Sequence, residues 1–558
     1  MLKVTNLTIS FKVEKTLQEV VHNINFDIGQ NEIVGLVGES GSGKSVTSLA
    51  ILGLLPTKTS KTKGHILFED SDLTTLSKKD FQKIRGSKIA MIFQDPMSAL
   101  NPSLTCGYQV QEMLLEHQFC AKKDSKTEVI NLFKKVKLPR PESIFSQYPH
   151  QISGGQKQRV IIAMAIACKP QLLIADEPTT ALDVTVQKEI INLLKELQEE
   201  TGMSMLFISH DLTLVSEIAD NVIVMQNGYI VEQNTTKEIF NNPQHIYTKA
   251  LLKARPSLSE RLEVLPTVQD FLNNDVPYKV VTEAQRQKNH QEIYSKPPIL
   301  EITHLKTYFD TSKGIFSPKN NFVKAVDDVS FKIYEGETLG LVGESGCGKT
   351  TLGRSILMLE KPQNGQVIYK GKDILKLDVQ DLKKLRKDIQ IIFQDPYSSL
   401  NPRITIGEAI VEPMHVHKLF SSYKARKAKV LELLAQVGLE PEHFNRYPHE
   451  FSGGQRQRIG IARAIALEPK IIICDESVSA LDVSVQAQVL NLLNSLKRTF
   501  NFTYIFISHD LAVVKYMADN LLVMKDGQIN EHGEADAIYK NPKSDYTKRL
   551  LEAIPKGI

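Results

Sequence analysis

Apolar and polar residues follow the same plan in the two halves of the chain. Residues 2–30 and 299–335 alternate apolar and polar positions, which predicts β-strands. Each segment leads into a short continuous apolar run, at 33–37 (IVGLV) and at 338–342 (TLGLV). Apolar residues at i, i+3 and i+4 spacing predict helices over 125–137 and 422–437.

Further short apolar runs lie at 172–175 and 205–208 in the first half, and at 471–474 and 504–507 in the second. These runs lack strict alternation and are separated by stretches with helical spacing. Strands of this kind are typical of a parallel sheet that helices cover on both faces, so the pattern predicts an α/β fold.

Six landmarks recur in the same order in both halves. Lys44 and Lys349 are 305 residues apart, and Gln94 and Gln394 are 300 apart. Four more pairs share a separation of 299 residues: Ser153 and Ser452, Glu177 and Glu476, His210 and His509, Tyr247 and Tyr546. A repeat of this kind predicts two domains of one fold, over residues 1–255 and 299–558. The polar, irregular stretch 256–298 is predicted to be a linker.

Composition argues against a nucleic-acid-binding, metal-binding, secreted or membrane-spanning protein. With 558 residues, 68 basic and 64 acidic side chains, the net charge of +4 is nearly balanced, so nothing calls for a nucleic-acid partner. The five cysteines are scattered without metal-type spacing, which favours free thiols in a reducing compartment. The first residues lack the pattern of a secretory signal, and no apolar run approaches a membrane span. We therefore expect a soluble chain.

The first chemical motif is GESGSGKS, which recurs as GESGCGKT, each between a predicted strand and a helical stretch. This is the context of a phosphate-binding loop, whose glycines let backbone N–H groups point at phosphate oxygens. A glycine-rich surface turn is the plain alternative, and the second copy makes it improbable. The residues expected to bind nucleotide phosphates here are Gly38, Glu39, Ser40, Gly41, Ser42, Gly43, Lys44 and Ser45, with Gly343, Glu344, Ser345, Gly346, Cys347, Gly348, Lys349 and Thr350.

Two acidic residues end an apolar run in each half, Asp176 and Glu177 in LLIADEP, and Asp475 and Glu476 in IIICDES. A carboxylate at the end of a buried strand suits Mg²⁺ binding, together with the hydroxyl of the phosphate loop. The next carboxylate is placed to act as general base towards water. Strands often end in solvated acids, but a pair after each phosphate loop favours the catalytic interpretation.

A third motif, SGGQ, stands 24 residues before each glutamate. A serine and two glycines at the start of a helix expose unpaired N–H donors, which predicts a second anion-binding surface. An ordinary serine N-cap is the alternative. One nucleotide does not need two phosphate sites in one domain, so we expect each motif to serve the nucleotide of the other domain. Its residues are Ser153, Gly154, Gly155 and Gln156, with Ser452, Gly453, Gly454 and Gln455.

This ordered set of motifs resembles that of the ATP-binding cassette (ABC) ATPases, over nearly the whole chain apart from the linker. The resemblance implies two tandem P-loop NTPase domains, each with a RecA-like, mainly parallel sheet, an N-terminal antiparallel β subdomain and a helical subdomain. It also implies ATP and Mg²⁺ as ligands. By position, further residues match the Q-loop glutamines, the D-loop aspartates and the switch histidines that contact γ-phosphate: Gln94 and Gln394, Asp183 and Asp482, His210 and His509.

The resemblance assigns roles residue by residue. The expected catalytic residues are Glu177, Glu476, His210, His509, Gln94 and Gln394. The expected Mg²⁺ ligands are Ser45, Gln94 and Asp176, with Thr350, Gln394 and Asp475. Phe11 and Tyr308, or Phe309 in its place, are candidates for stacking on adenine, although an aromatic residue in such a strand is as often part of the core.

In this family the two domains pair head to tail, so that one ATP lies between the first phosphate loop and the second SGGQ motif, and another between their counterparts. Both predicted sites keep the glutamate, the histidine and the SGGQ residues, so we expect two hydrolysing sites. One departure is Ser477, where the family usually has proline, as Pro178 in the first half. It puts the rigidity of that loop in doubt more than catalysis.

Finer features, QYPHQISGG, RYPHEFSGG, IYTKALL and DYTKRLL, are similar to ATPases of the dipeptide, oligopeptide and nickel importers, notably the fused type of glutathione and short-peptide uptake systems. That likeness implies a peripheral protein on the cytoplasmic face of the membrane, two permease subunits and an extracellular solute-binding protein. Many members carry a cysteine cluster after this last segment. None of the five cysteines lies there, so no iron–sulfur cluster is expected.

A ribosome-associated translation factor with paired cassettes is the alternative from another class. Such factors typically carry a longer, strongly charged helical linker and a shorter segment between Q-loop and SGGQ motif. Here that segment spans 59 residues in the first half and 58 in the second, which favours the importer.

Overall fold

The computed structural model describes residues 1–13, 16–94, 99–180, 182–310, 322–395, 397, 399–479 and 481–555. Each half contains two sheets. The first half has an antiparallel sheet with strand order β2-β1-β4-β5 and a six-stranded sheet with order β10-β9-β3-β8-β7-β6. Its strands are β1 (Leu2–Val13), β2 (Thr16–Ile28), β3 (Ile33–Val37), β4 (Ser60–Phe68), β5 (Ser71–Asp72), β6 (Ile89–Ile92), β7 (Leu172–Asp176), β8 (Ser204–Ser209), β9 (Asn221–Gln226) and β10 (Tyr229–Thr235).

The second half repeats both sheets strand for strand, as β12-β11-β14-β15 and β16-β17-β18-β13-β19-β20. In each six-stranded sheet, the strand that comes latest in the chain, β10 or β20, pairs antiparallel with its neighbour, and the other described pairs are parallel. The strands are β11 (Pro298–Asp310), β12 (Phe322–Tyr334), β13 (Thr338–Val342), β14 (Asn364–Tyr369), β15 (Lys372–Asp373), β16 (Ile389–Ile392), β17 (Ile471–Asp475), β18 (Thr503–Ile507), β19 (Asn520–Lys525) and β20 (Gln528–Glu534).

Helices cover both faces of each mainly parallel sheet, and a separate helical group precedes each SGGQ motif. The first half has the helices Lys44–Ile51, Lys78–Ile84, Cys106–Glu116, Ser125–Lys135, Pro141–Ser146, Gly154–Ile166, Val184–Thr201, Leu212–Ser216, Thr236–Asn241 and Ile246–Lys253. The second half has Lys349–Ile356, Val379–Asp388, Ile406–Val416, Tyr423–Gln436, Gly453–Ile465, Val483–Phe500, Leu511–Met517, Ala535–Lys540 and Asp545–Glu552. Short 3₁₀ turns occur at Leu73–Thr75, Pro149–Gln151, Ile374–Lys376, Pro441–Asn445 and Pro448–Glu450.

The expected α/β class with two cassettes is confirmed. The apolar runs before the phosphate loops form β3 and β13, in which every residue is buried. These strands lie inside their sheets, each between two parallel neighbours, which explains why they lack alternation. The other four apolar runs also form parallel strands, one or two residues longer than predicted.

The linker contains two helices, Val268–Leu272 and Glu283–Tyr294, and it contacts both halves. Val268 packs against the core of the first half, whereas other linker residues pack on the second. Leu265 is 1% exposed and belongs to the hydrophobic core of that half. Arg286 forms ion pairs with Glu534 and Asp536. The polar composition of the linker therefore reflects its binding to a charged surface. Few of the described linker residues are buried, and the sequence pattern does not distinguish them from the exposed polar residues around them.

Across the described ranges, the structure contains no helix of the length and apolarity that crossing a bilayer requires.

Candidate active site

The first phosphate loop connects β3 to the helix Lys44–Ile51, as its motif predicts. Gly38 has a φ of +153°, and a Cβ at this position would lie 2.2 Å from the carbonyl oxygen of Met225, so only glycine fits. The ammonium group of Lys44 donates hydrogen bonds to the carbonyl oxygens of Gly38 (2.7 Å) and Glu39 (2.9 Å). The loop therefore curls around a buried cation, as a site for a phosphate anion requires.

The second loop has the same geometry between β13 and the helix Lys349–Ile356. Lys349 donates to the carbonyl oxygens of Gly343 (2.6 Å) and Glu344 (3.0 Å). Cys347 replaces Ser42 of the first loop, and each side chain is nearly buried next to its lysine. The loop shape is thus independent of whether this position holds a hydroxyl or a thiol.

A hydroxyl and a carboxylate meet beside each loop. Ser45 Oγ donates to Asp176 Oδ1 at 3.3 Å, and Thr350 Oγ1 donates to Asp475 Oδ1 at 3.0 Å. Burial raises the pKa of Asp176 to about 6, and it also raises the pKa of Asp475. Burial thus disfavours the charged form of each carboxyl, and a cation bound beside it would offset that effect. Paired oxygen donors of this kind fit Mg²⁺, which prefers oxygen ligands.

Glu177 lies at the centre of the first cluster. Its carboxylate accepts hydrogen bonds from Gln94 Nε2 (2.9 Å) and Thr180 Oγ1 (2.9 Å), and His210 Nδ1 lies 3.2 Å from its other oxygen. The structure thus gathers the predicted lysine, hydroxyl, aspartate, glutamate, glutamine and histidine at one end of the sheet. We call this group the first cluster: Lys44, Ser45, Gln94, Asp176, Glu177 and His210.

The second half reproduces this arrangement, with one difference. Glu476 accepts from Gln394 Nε2 (2.8 Å), and His509 Nδ1 lies 3.3 Å from the same carboxylate oxygen. Ser479, at the position of Thr180, donates instead to the backbone oxygen of Glu476 (2.9 Å). The second cluster is Lys349, Thr350, Gln394, Asp475, Glu476 and His509.

The electrostatics of each glutamate and histidine are coupled. Burial alone would raise the pKa of Glu177, but the hydrogen bond and charge of His210 lower it to about 2. Burial alone would lower the pKa of His210, and the same contact with Glu177 raises it. Glu476 and His509 show the same directions for the same reasons. Each glutamate is therefore ionised at neutral pH, as a proton acceptor must be.

Each SGGQ motif begins a long helix. Ser153 caps the helix Gly154–Ile166: its hydroxyl accepts from the backbone N–H of Gln156 (3.3 Å), and its own N–H donates to the Gln156 side chain (3.0 Å). Ser452 and Gln455 form the same capping box. The plain role of an N-cap is therefore filled, and both serines lie exposed at the surface.

The two halves meet at the predicted D-loops. Ser40 Oγ of the first phosphate loop donates to Asp482 Oδ1 of the second half at 2.9 Å. The negative charge of Asp482 acts on His210, and that of Asp183 acts on His509. Each D-loop aspartate thus lies next to the cluster of the opposite half.

A tyrosine outside the predicted site holds each phosphate loop. The hydroxyl oxygens of Tyr247 and Tyr546 accept the backbone N–H groups of Glu39 and Glu344, both at 3.1 Å. Both tyrosines are buried. The sequence alone does not predict this role, although the 299-residue separation places both tyrosines among the repeated landmarks.

The two adenine candidates lie in the antiparallel sheets. Phe11, in β1, packs at the edge of the first-half core. The hydroxyl of Tyr308, in β11, donates to Asp327, and the ammonium of Lys324 lies 5.6 Å from its ring centre. These contacts are structural, and adenine stacking remains a prediction for both residues.

Two protein-family models match the chain. Residues 21–180 and 326–479 match the model described as ABC transporter, which together covers more than half of the chain. Residues 231–274 and 530–557 match the model described as the C-terminal region of oligopeptide/dipeptide transporters. Tyr247 and Tyr546 lie in these last two segments.

Relatives match over nearly the full length. The glutathione import ATP-binding protein GsiA of Shigella sonnei (strain Ss046) and that of Escherichia coli (strain K12) are each 46% identical over 561 residues, covering 99% of this chain and 89% of theirs. Among solved structures, the dimeric post-hydrolysis state of the ATP-binding cassette MJ0796 bound to ADP and Pi matches 42% of this chain and 98% of its own, at 29% identity and a TM-score of 0.38.

Proposed function

The chain belongs to the ABC transporter family as the ATPase subunit of an importer, and on that premise we propose that it powers uptake of short peptides of the glutathione type. ATP is hydrolysed to ADP and phosphate at two sites, each built on one cluster. The observation that carries this proposal is the repeated cluster, which is complete in both halves. A degenerate site would lack one of these groups.

Each residue has a role that follows from its position. The loop N–H groups and Lys44 or Lys349 bind the β- and γ-phosphates, and the lysine exchanges its loop carbonyls for phosphate oxygens. The hydroxyl and aspartate pairs, together with Gln94 and Gln394, would hold Mg²⁺. When bound, Mg²⁺ offsets phosphate charge and orients the γ-phosphate.

Glu177 and Glu476 act as general bases. Each accepts a proton from the attacking water, and its low pKa keeps it ionised for that task. The switch histidines, His210 and His509, orient these carboxylates and contact the γ-phosphate side. Gln94 and Gln394 link the glutamate of each site to the helical group that precedes the SGGQ motif, so that these helices move when nucleotide binds or is hydrolysed.

Pairing of the two halves completes both sites. Each SGGQ helix turns its first N–H groups towards the nucleotide of the opposite half, and Phe11 and Tyr308 stack on adenine. The contact of Ser40 with Asp482 supports a head-to-tail pairing, because it joins a phosphate loop to the D-loop of the other half. ATP favours the closed pair only to the extent that it binds that state more tightly.

The cargo enters through other proteins. We propose that the chain lies on the cytoplasmic face of the membrane, binds two permease subunits through its helical groups, and moves cargo delivered by an extracellular binding protein. The relatives named as glutathione import proteins support the substrate class. The ribosomal alternative gains no support, because both halves match the C-terminal region of oligopeptide and dipeptide transporters.

A reconstituted transporter tests the proposal. The chain is combined with the permease subunits and binding protein that co-purify with it, in proteoliposomes that enclose ATP and Mg²⁺, and uptake of labelled glutathione and of a tripeptide is followed. We expect uptake that requires ATP and that the Glu177→Gln/Glu476→Gln variant abolishes. ATP hydrolysis that neither cargo stimulates, without uptake of either, would contradict the proposed substrate class.

A further inference from the structure

The two switch histidines border one small cleft between the halves. A cavity of about 90 Å³ is lined by His210 and Asp211 from the first half and by His509 and Asp510 from the second. Each aspartate caps the short helix that follows its histidine: Asp211 Oδ1 accepts from Thr213 N, and Asp510 Oδ1 from Ala512 N, both at 2.9 Å. The aspartates therefore set the position of both switch segments.

Among the residues that the structure describes, one arginine, Arg255, lines this cleft. Arg255 Nη1 donates to both carboxylate oxygens of Asp211, at 2.9 and 2.8 Å. Its Nη2 lies 4.0 Å from Oδ2 of Asp510 in the other half. The Arg255 side chain is only 18% exposed, so solvent screens these interactions weakly. One cation thus lies between two carboxylates that belong to different halves.

Arg255 has no matching arginine in the second half. The position that matches Arg255 in the second half, by the 299-residue separation, is Ile554. Ile554 lines the same cleft. An arginine at both positions would bring two guanidinium groups into a small cavity, where like charges repel. The two matched positions thus hold one arginine and one apolar residue, and the guanidinium group of Arg255 faces the aspartates of both switch segments.

The chain after Arg255 continues directly to the second switch segment. The carbonyl oxygen of Leu258 accepts from Lys515 Nζ, and Arg261 Nη1 donates to the carbonyl oxygens of Tyr516 (3.1 Å) and Ala518 (3.0 Å). Lys515 and Tyr516 belong to the helix Leu511–Met517, which Asp510 caps. Arg255 and the first residues of the linker together therefore contact the switch segments of both halves.

We propose that Arg255 is a positioning residue that couples the two ATP sites, by holding the switch segment of the first half against that of the second. The inference rests on the proposed function, since it concerns communication between two hydrolysing sites. When one aspartate moves, the guanidinium group that it shares moves with it. The distance from that group to the other aspartate changes, and with it their electrostatic interaction energy. Such coupling is reciprocal, because it is a free energy shared by both sites.

A double-mutant cycle on the full chain tests this coupling. Glu476→Gln blocks the second site, and the fold-loss of total ATP hydrolysis that it causes is measured with Arg255 present and in Arg255→Ile, which copies the second half. We expect the fold-loss to shrink about fivefold in Arg255→Ile, the scale of a modest coupling between sites. Arg255→Lys keeps the charge and should restore part of the coupling. A purely structural role would lower all rates but leave the fold-loss unchanged.

Lys188→Met provides the matched control. Lys188 also joins the halves, by donating to the carbonyl oxygen of Glu552 (2.7 Å), but it lies outside the cleft. Its removal should leave the fold-loss unchanged. If Arg255→Ile does not fold, Asp510→Asn removes the cross-half charge while keeping a good capping residue, and should weaken the coupling in the same direction.

The outcomes separate the two proposals. Wild-type protein without ATP hydrolysis would overturn the proposed function, and the coupling with it. Active wild-type protein whose fold-loss from Glu476→Gln is the same in the Arg255 and Asp510 variants would overturn the coupling alone. A fold-loss that changes equally in Lys188→Met would also overturn it, because any cross-half contact would then suffice.

Discussion

Replacing Tyr247 and Tyr546 by phenylalanine removes two hydroxyl groups and little else. Each hydroxyl oxygen accepts the backbone N–H of the second residue of a phosphate loop, Glu39 or Glu344, at 3.1 Å. Phenylalanine fills the same buried space, so packing is kept. The N–H group loses its partner, and an unpaired buried donor costs about 1–3 kcal/mol.

The lower end of that range applies, because each contact is only partly buried. About 1 kcal/mol corresponds to roughly a fivefold change in a binding constant. We therefore expect the KM for ATP to rise about fivefold in the double variant, while kcat stays within about twofold. In the described part of the chain, these hydroxyls form no hydrogen bond with Glu177, Glu476 or their histidines, so the chemical step is preserved.

The assay is phosphate release by the purified chain over a range of ATP concentrations with Mg²⁺. Tyr278→Phe is the matched control, because Tyr278 is 69% exposed and its hydroxyl donates to Glu260 in the linker. An unchanged KM in the double variant, or the same change in the control, would refute the reasoning that these hydroxyls shape the loops.

Three further predictions concern the site and the linker. Glu177→Gln with Glu476→Gln should lower turnover at least about 100-fold, the scale of a lost general base, with ATP binding retained in a filter assay; unchanged turnover would exclude both as bases. The lowered pKa of Glu177 stabilises the fold fully at pH values above 4.5, its ordinary pKa. The raised pKa of His210 stabilises the fold fully at pH values below 6.5, its ordinary pKa, and this contribution is lost as the pH rises past the pKa in the folded protein. His210→Gln should therefore lower Tm more at about pH 6 than at about pH 9, and an equal loss at both would contradict this. Leu265→Ala should destabilise the second half by about 2–5 kcal/mol and expose the linker to proteases, whereas an intact linker in limited proteolysis would show that its docking is unimportant.

The sequence predicts which side chains lie together beside each phosphate loop because their motifs are local, and their catalytic roles stay a prediction. A phosphate loop needs glycines at set positions and a strand before it, and both are visible in a short stretch. The strands β3 and β13 matched the predicted runs residue for residue, since burial on both faces leaves an unbroken apolar signal.

Contacts between distant segments were harder to predict. Tyr247 lies 208 residues from Glu39, and only the fold places its hydroxyl on the loop. Arg255 sits in a polar stretch where one arginine looks like any other surface charge. Its role depends on which residues of the two halves come into contact, and no local motif identifies them. The same holds for Leu265, one apolar residue in a polar linker that completes a core elsewhere.

Both proposed ATP sites depend on head-to-tail pairing, because each needs an SGGQ helix from the opposite half. Ser153→Cys provides a thiol at the first SGGQ motif, and Ser345→Cys provides one at an exposed position of the second phosphate loop. A short bifunctional thiol reagent is applied to the Glu177→Gln/Glu476→Gln chain with ATP and Mg²⁺, and linked peptides are mapped by mass spectrometry. We predict a link between positions 153 and 345 that ATP promotes and ADP does not. Absence of that link, and of its counterpart between Ser452→Cys and the exposed loop position Ser40→Cys, would contradict the pairing.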